Sequence, residues 1–224
     1  MTQAIVCYNS HGLVLATDSL VLCEGQGGQI EHRVEQRLYA LGSHAAILSA
    51  GAAVGVDLSA RLAQWMEARG QLEFEDALAV GRDFLAGTYA RYLRAHQGQP
   101  EGHAAANRHL YFIIGGYAPS RAQGLYQAVL LQSEAGELPF HETPLGHVFT
   151  LPRRLALEER ITRQIAEGAP LRGLARSCRS GLAGLAQRNP EAVAAPYQVA
   201  MLTAQGIELL GDEGLPAEPE EEEE

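Results

Sequence analysis

Thr2 is the residue whose type and place could do the most chemistry in this chain. Initiator methionine is trimmed when the next side chain is small, and threonine qualifies. The mature chain then begins with a hydroxyl and a free α-amine on one residue. Such a threonine can act as a nucleophile with its own amine as general base. An unperturbed α-amine titrates near ~7.7–8.0, so a modest positive field leaves it neutral at physiological pH. Met-Thr is also an ordinary way for a protein to begin, so the reading depends on what surrounds the residue.

The elements that must position Thr2 lie in residues 2–18, TQAIVCYNSHGLVLATD. Ile5 and Cys7 alternate with Ala4, Val6 and Tyr8, the period of two that a sheet requires. Asn9-Ser10-His11-Gly12 supplies turn chemistry, because Asn and Gly tolerate positive φ. Leu13 to Ala16 follow as a compact apolar strand that ends on Asp18. A hairpin of this length brings Asp18 back beside Thr2. A carboxylate would then stand next to the candidate nucleophile.

Thr2, the run GLVLATDS after it and AAILSAG at Ala45–Gly51 together resemble the proteasome β-subunit family, with its bacterial HslV-type, Anbu and BPH homologues. The likeness runs from Thr2 to about Leu210. It implies a single α+β domain over residues 1–211 folded as a four-layer αββα sandwich, and a threonine peptidase acting on peptides or unfolded proteins. By the same resemblance, Asp18 holds a positive partner beside Thr2, and the backbone N–H of Gly51 stabilises the oxyanion. Ser49 and Ala53 line a roomy first specificity pocket. A homo-oligomeric ring is implied, while an ATPase partner remains undetermined.

The positive partner is where the chain departs from that family, which uses a lysine early in the third strand. This sequence has no lysine at all; its 17 basic residues other than histidine are arginines. Arg33 and Arg37 are the basic residues in the right stretch. Counting back from Ser49-Ala50-Gly51 selects Arg33, and matching Arg37-Leu38-Tyr39 selects Arg37; Arg33 is the first choice. Arginine can lower the pKa of a nearby amine but stays protonated, so it cannot relay a proton. Its fork could also pair with Asp18 and draw charge away from Thr2. His147, after Gly146, is a candidate replacement proton carrier.

Bulk composition narrows the classes. A chain of 224 residues with 46% hydrophobic content can bury one good core, and a net charge of −10 argues against nucleic acid. No apolar run approaches the roughly 20 residues of a membrane helix, and no basic leader precedes the first strand. Cys7, Cys23 and Cys178 are too few for a disulfide framework and read as reduced core thiols of a cytoplasmic protein. Histidine spacing suits no metal, and neither a cofactor nor a phosphate loop is implied.

Along the chain, residues 21–28 read as a Gly-rich loop and 31–40 as one extended run. Helical periodicity covers 56–70 and 74–92, then strands at 110–115 and 124–131. Residues 141–152 read as irregular. Helices at 156–167 and 171–187 precede a last hairpin around Gln205-Gly206. Residues 97–106 read as a surface loop, and 212–224 as an acidic, solvated tail. Three functions remain open on these residues: an active threonine peptidase, a catalytically impaired scaffold or binding subunit, and an amidase acting on small amides.

Overall fold

The computed structural model describes residues 2–24, 29–70, 72–96, 109–119 and 125–211. The expected loop at 97–106 and the acidic tail lie outside them. The architecture is mixed α/β of the α+β class, with four helices and three antiparallel sheets among the described residues.

The first sheet has the order β10-β1-β2-β11-β12 and the second β5-β6-β7-β8-β9. In the first, β1 (Ala4–Asn9) pairs with β2 (Gly12–Thr17), with Ala4 opposite Thr17. β10 (Val148–Leu151) lies on the other side of β1, and the hairpin of β11 (Gln198–Thr203) and β12 (Gly206–Leu210) extends the sheet beyond β2. The second sheet runs from β5 (Leu38–Ala40) through β6 (Ala45–Gly51), β7 (Leu110–Tyr117) and β8 (Tyr126–Ser133) to β9 (His141–Pro144).

Period two sorts these strands into three apolar clusters. Ala4, Val6, Leu13 and Leu15 of the first sheet share one cluster with Ala46, Leu48, Ile113 and Leu130 of the second. The alternate residues Ile5, Cys7, Val14 and Ala16 pack with Leu174, Cys178 and Leu182 of α4 (Leu171–Arg188) and Ile161 of α3 (Leu155–Ala166). Ile47, Phe112, Ile114 and Leu131 pack with Leu58, Leu62 and Met66 of α1 (Val54–Glu67) and Leu85 of α2 (Phe74–Ala95). Strands buried on both faces explain the near-continuous apolar runs. Each fully buried Leu or Ile contributes roughly 1.5–3 kcal/mol.

Two stretches differ from the sequence reading. Residues 21–24 are strand rather than loop: β3 (Leu20–Glu24) pairs with β4 (Ile30–Val34) as a separate two-stranded sheet. Leu20, Val21 and Leu22 hold the ladder before the glycine run begins. The extended run at 31–40 therefore breaks into β4 and β5, which belong to different sheets. Likewise 141–152 is two short strands, β9 on β8 and β10 on β1, because main-chain pairing outweighs the turn residues between them. No helix among the described residues is long and apolar enough to cross a membrane.

Candidate active site

The β1–β2 hairpin delivers Asp18 to the start of β1. Its Oδ1 accepts the Gln3 N–H at 2.8 Å, and its Oδ2 accepts the Leu20 N–H at 3.1 Å. Thr17 Oγ1 donates to the Gln3 carbonyl at 2.9 Å. Gln3 is thus held on both its backbone groups, which fixes the exit direction of Thr2. Thr2, Gln3 and Asp18 are all buried. Hydrogen bonds from backbone amides to a carboxylate contribute about 1.5–3 kcal/mol.

Arg37, not Arg33, is the cation that faces this acid. Arg37 is 2% exposed, and its Nη1 and Nη2 donate to the carbonyls of Ser49 (3.3 Å) and Leu20 (2.7 Å). Arg33 points into solvent from β4 and pairs with Glu31 at 2.9 Å on the same face of that strand. The placement of Arg33 beside Asp18 is therefore corrected. The break between β4 and β5 is the cause: it leaves Arg33 on the outlying sheet and turns Arg37 inward. Gln198 secures that turn, accepting from the N–H groups of Arg37 (2.8 Å) and Leu38 (3.0 Å) and donating to the Glu35 carbonyl (2.8 Å).

Electrostatics in the site follow from burial. Burial pushes the Asp18 carboxyl above its ordinary pKa, against the pull of the Gln3 N–H, the Arg37 charge and the Leu20 N–H. Burial also lowers Arg37, against the fields of Asp18, Cys23 and Glu35. The two side chains act on each other through space; every oxygen of the acid and both terminal nitrogens of the guanidinium bond to backbone. The bidentate Arg–Asp pair considered from the sequence does not form. Ser19 Oγ, Arg37 Nε and Ser49 Oγ are buried with no hydrogen-bond partner among the described residues. Orphans of this kind are costly, about 1–3 kcal/mol each, and three in one cluster mark a site with unspent hydrogen-bonding capacity.

Gly51 ends β6 with φ +82°, and a Cβ there would run into the His109 carbonyl, which accepts the Ala52 N–H at 2.9 Å. Only glycine takes that conformation at that approach without strain. A cavity of about 600 Å³ opens between β3–β4 and the helices α1 and α2; none of Thr2, Asp18, Arg37 and Gly51 lines it. Ala53 and Val21 line it. Ser49 does not; it stays behind the cavity, bonded through its backbone to Arg37.

His147 is corrected as a proton carrier. It is exposed, meets the Tyr8 ring at a tilt and bonds the Tyr8 carbonyl at 3.2 Å, six residues along β1 from Thr2. That separation is roughly 20 Å at the rise of a strand. Cys7 and Cys178 are buried thiols with sulfurs 3.6 Å apart, whereas Cys23 is half-buried at the cavity. No cluster of His, Cys, Asp or Glu suited to a metal occurs among the described residues.

Gln3, Ser19 and Gln198 were missed at the sequence level. Gln198 leads β11, the first strand of the last hairpin, after a turn, a signal that alone cannot say which backbone it will cap. No protein-family model and no curated protein matches this chain.

Proposed function

We propose that this chain is a threonine-type peptidase of the proteasome-like kind, with Thr2 as N-terminal nucleophile after Met1 removal, working inside a homo-oligomeric ring on peptides or unfolded proteins. Its fold on this reading is the four-layer αββα sandwich of N-terminal-nucleophile hydrolases. Support for that comes from the three apolar clusters, one between the sheets and one between each sheet and its helix pair. The observation that carries the reading is the 2.8 Å bond from the Gln3 N–H to Asp18, with Arg37 buried behind it.

The steps follow from the groups present. The Thr2 α-amine takes the hydroxyl proton as Oγ1 attacks the peptide carbonyl, then returns it to the departing amine. Water cleaves the resulting ester, with the same amine as base. The fixed charge of Arg37 favours the neutral amine, and Asp18 tempers that field. The Gly51 N–H is the oxyanion donor, where its glycine backbone permits close approach. An extended substrate adds its main chain alongside the strands at residues 21 and 51.

A second reading, a catalytically impaired scaffold subunit, draws on one observation: Arg37 commits both terminal nitrogens to carbonyls and cannot relay a proton as a lysine can. Fluorogenic-peptide turnover separates the two. The peptidase reading expects turnover that Thr2→Ala abolishes and Thr2→Ser retains. Absence of turnover in a protein lacking Met1 supports the scaffold.

A further inference from the structure

Two nucleophilic side chains that the site does not use face each other in the core. Period two puts Cys7 on the same face of β1 as Ile5, and the four-residue step of α4 sets Cys178 in one stripe with Leu174 and Leu182. Where the two stripes pack, the thiols become hydrogen-bond partners, with their sulfurs 3.6 Å apart and both residues fully buried. They stand 171 positions apart in the chain, one in the sheet and one in the helix layer. A disulfide bond is about 2.05 Å long, so closing the pair takes a shift of roughly 1.5 Å, within reach of the side-chain torsions.

The same environment keeps the pair quiet while the fold is closed. The contact with Cys178 and burial push the Cys7 thiol up, which withholds the thiolate that redox chemistry needs. Reaction therefore waits for α4 to lift from the sheet. Gly173, Gly181 and Gly184 all lie in this helix, and each interior glycine weakens a helix relative to alanine. Packing explains Gly181, where a Cβ would press on Leu157 at 2.9 Å. It does not explain Gly184, where a Cβ would meet nothing within 4 Å.

We infer that Cys7 and Cys178 are a latent disulfide, closed by a hydroperoxide when α4 opens and stapling that helix to β1. With hydrogen peroxide, one thiolate sulfur attacks the O–O bond, becomes a sulfenic acid and releases water. The second sulfur then displaces hydroxide from the first, and the hydroxide leaves as water with the second thiol's proton. Two thiols give up two electrons and one peroxide is reduced to two waters. The cross-link ties the strand that follows Thr2 to the helix packed behind it. The inference does not depend on the peptidase reading.

The test uses full-length protein carrying Cys23→Ser, which removes the half-buried thiol that would otherwise react first. Hydrogen peroxide should take two hydrogens from the intact mass, and peptide mapping should join the segments that hold Cys7 and Cys178. The oxidised protein should melt roughly 5–10 °C above the reduced one, since so long a closed loop constrains the unfolded chain. Dithiothreitol should reverse that shift. Gly184→Ala firms α4 and should slow cross-linking about fourfold without stopping it; an unchanged rate would overturn closure through helix opening. Sulfinic or sulfonic acid at either cysteine without the cross-link would overturn the disulfide itself. So would two free thiols after an incubation that oxidises the same protein in urea.

Discussion

The Asp18–Arg37 site and the corner between β10 and α3 solve the same problem, a buried carboxylate near an arginine, in opposite ways. At the corner, Glu158 receives Arg153 Nε at 2.7 Å and Nη2 at 2.6 Å, together with the Thr150 N–H and hydroxyl at 3.0 and 2.7 Å. Acid and base neutralise each other directly and the corner is fixed. At the site, acid and base spend their hydrogen bonds on backbone and meet only through space. A contact pair locks geometry; a separated pair leaves a field in the region between. On the peptidase reading, that field is what tunes the Thr2 amine.

Breaking the site should cost most. Arg37→Met orphans the carbonyls of Ser49 and Leu20 and leaves Asp18 uncompensated, an expected loss of about 3–5 kcal/mol in urea unfolding. That is a large share of a typical domain's stability. Arg37→Lys restores the charge and one donor. It should recover much of that loss and, on the peptidase reading, raise turnover above wild type.

Gly51→Ala comes next. Positive φ and the His109 carbonyl together predict about 2–4 kcal/mol of destabilisation, read from the same unfolding curves. Gln198→Ala removes three hydrogen bonds from the turn that aims Arg37, with an expected cost of about 2 kcal/mol.

The corner gives a smaller, pH-dependent effect. Burial would raise Glu158, but Arg153 and Thr150 outweigh it and hold the carboxyl below its ordinary value. An acid depressed in the fold adds stability above its unfolded pKa and loses it as pH falls through the folded one. Glu158→Gln should therefore lower the melting temperature by about 3 °C at pH 7, with the gap from wild type closing in acid. Asp18 has the reverse sign: raised in the fold, its ionisation opposes folding as pH rises through the folded value. Arg33→Gln anchors the bottom of the series. It should leave the melting temperature unchanged, since Arg33 meets only Glu31 in solvent.

Much of the fold was legible because two-sided burial writes itself into the strands. The alternation of Ala4 and Val6 with Ile5 and Cys7 already contained both faces. The contact of Asp18 with Gln3 followed from a short hairpin, whose register is a local property. The choice between Arg33 and Arg37 was not local. It depended on β4 leaving the second sheet and on a glutamine 161 residues away capping the Arg37 N–H. Short strands such as β9 and β10 carry too few residues for a period to show, so their pairing had to come from the structure. The Gly51 constraint lies between: the SAG run marked the residue, but its collision with His109 is tertiary.

The central claim is that Thr2 is the reactive terminus of this protein. Purified wild-type protein incubated with a peptide epoxyketone, which engages a hydroxyl and an amine on one residue, tests it by peptide mass mapping. The account predicts that Met1 is absent and that a single adduct maps to Thr2, lost in Thr2→Ala. A Thr2 still preceded by Met1, or an adduct that persists in Thr2→Ala, would contradict it.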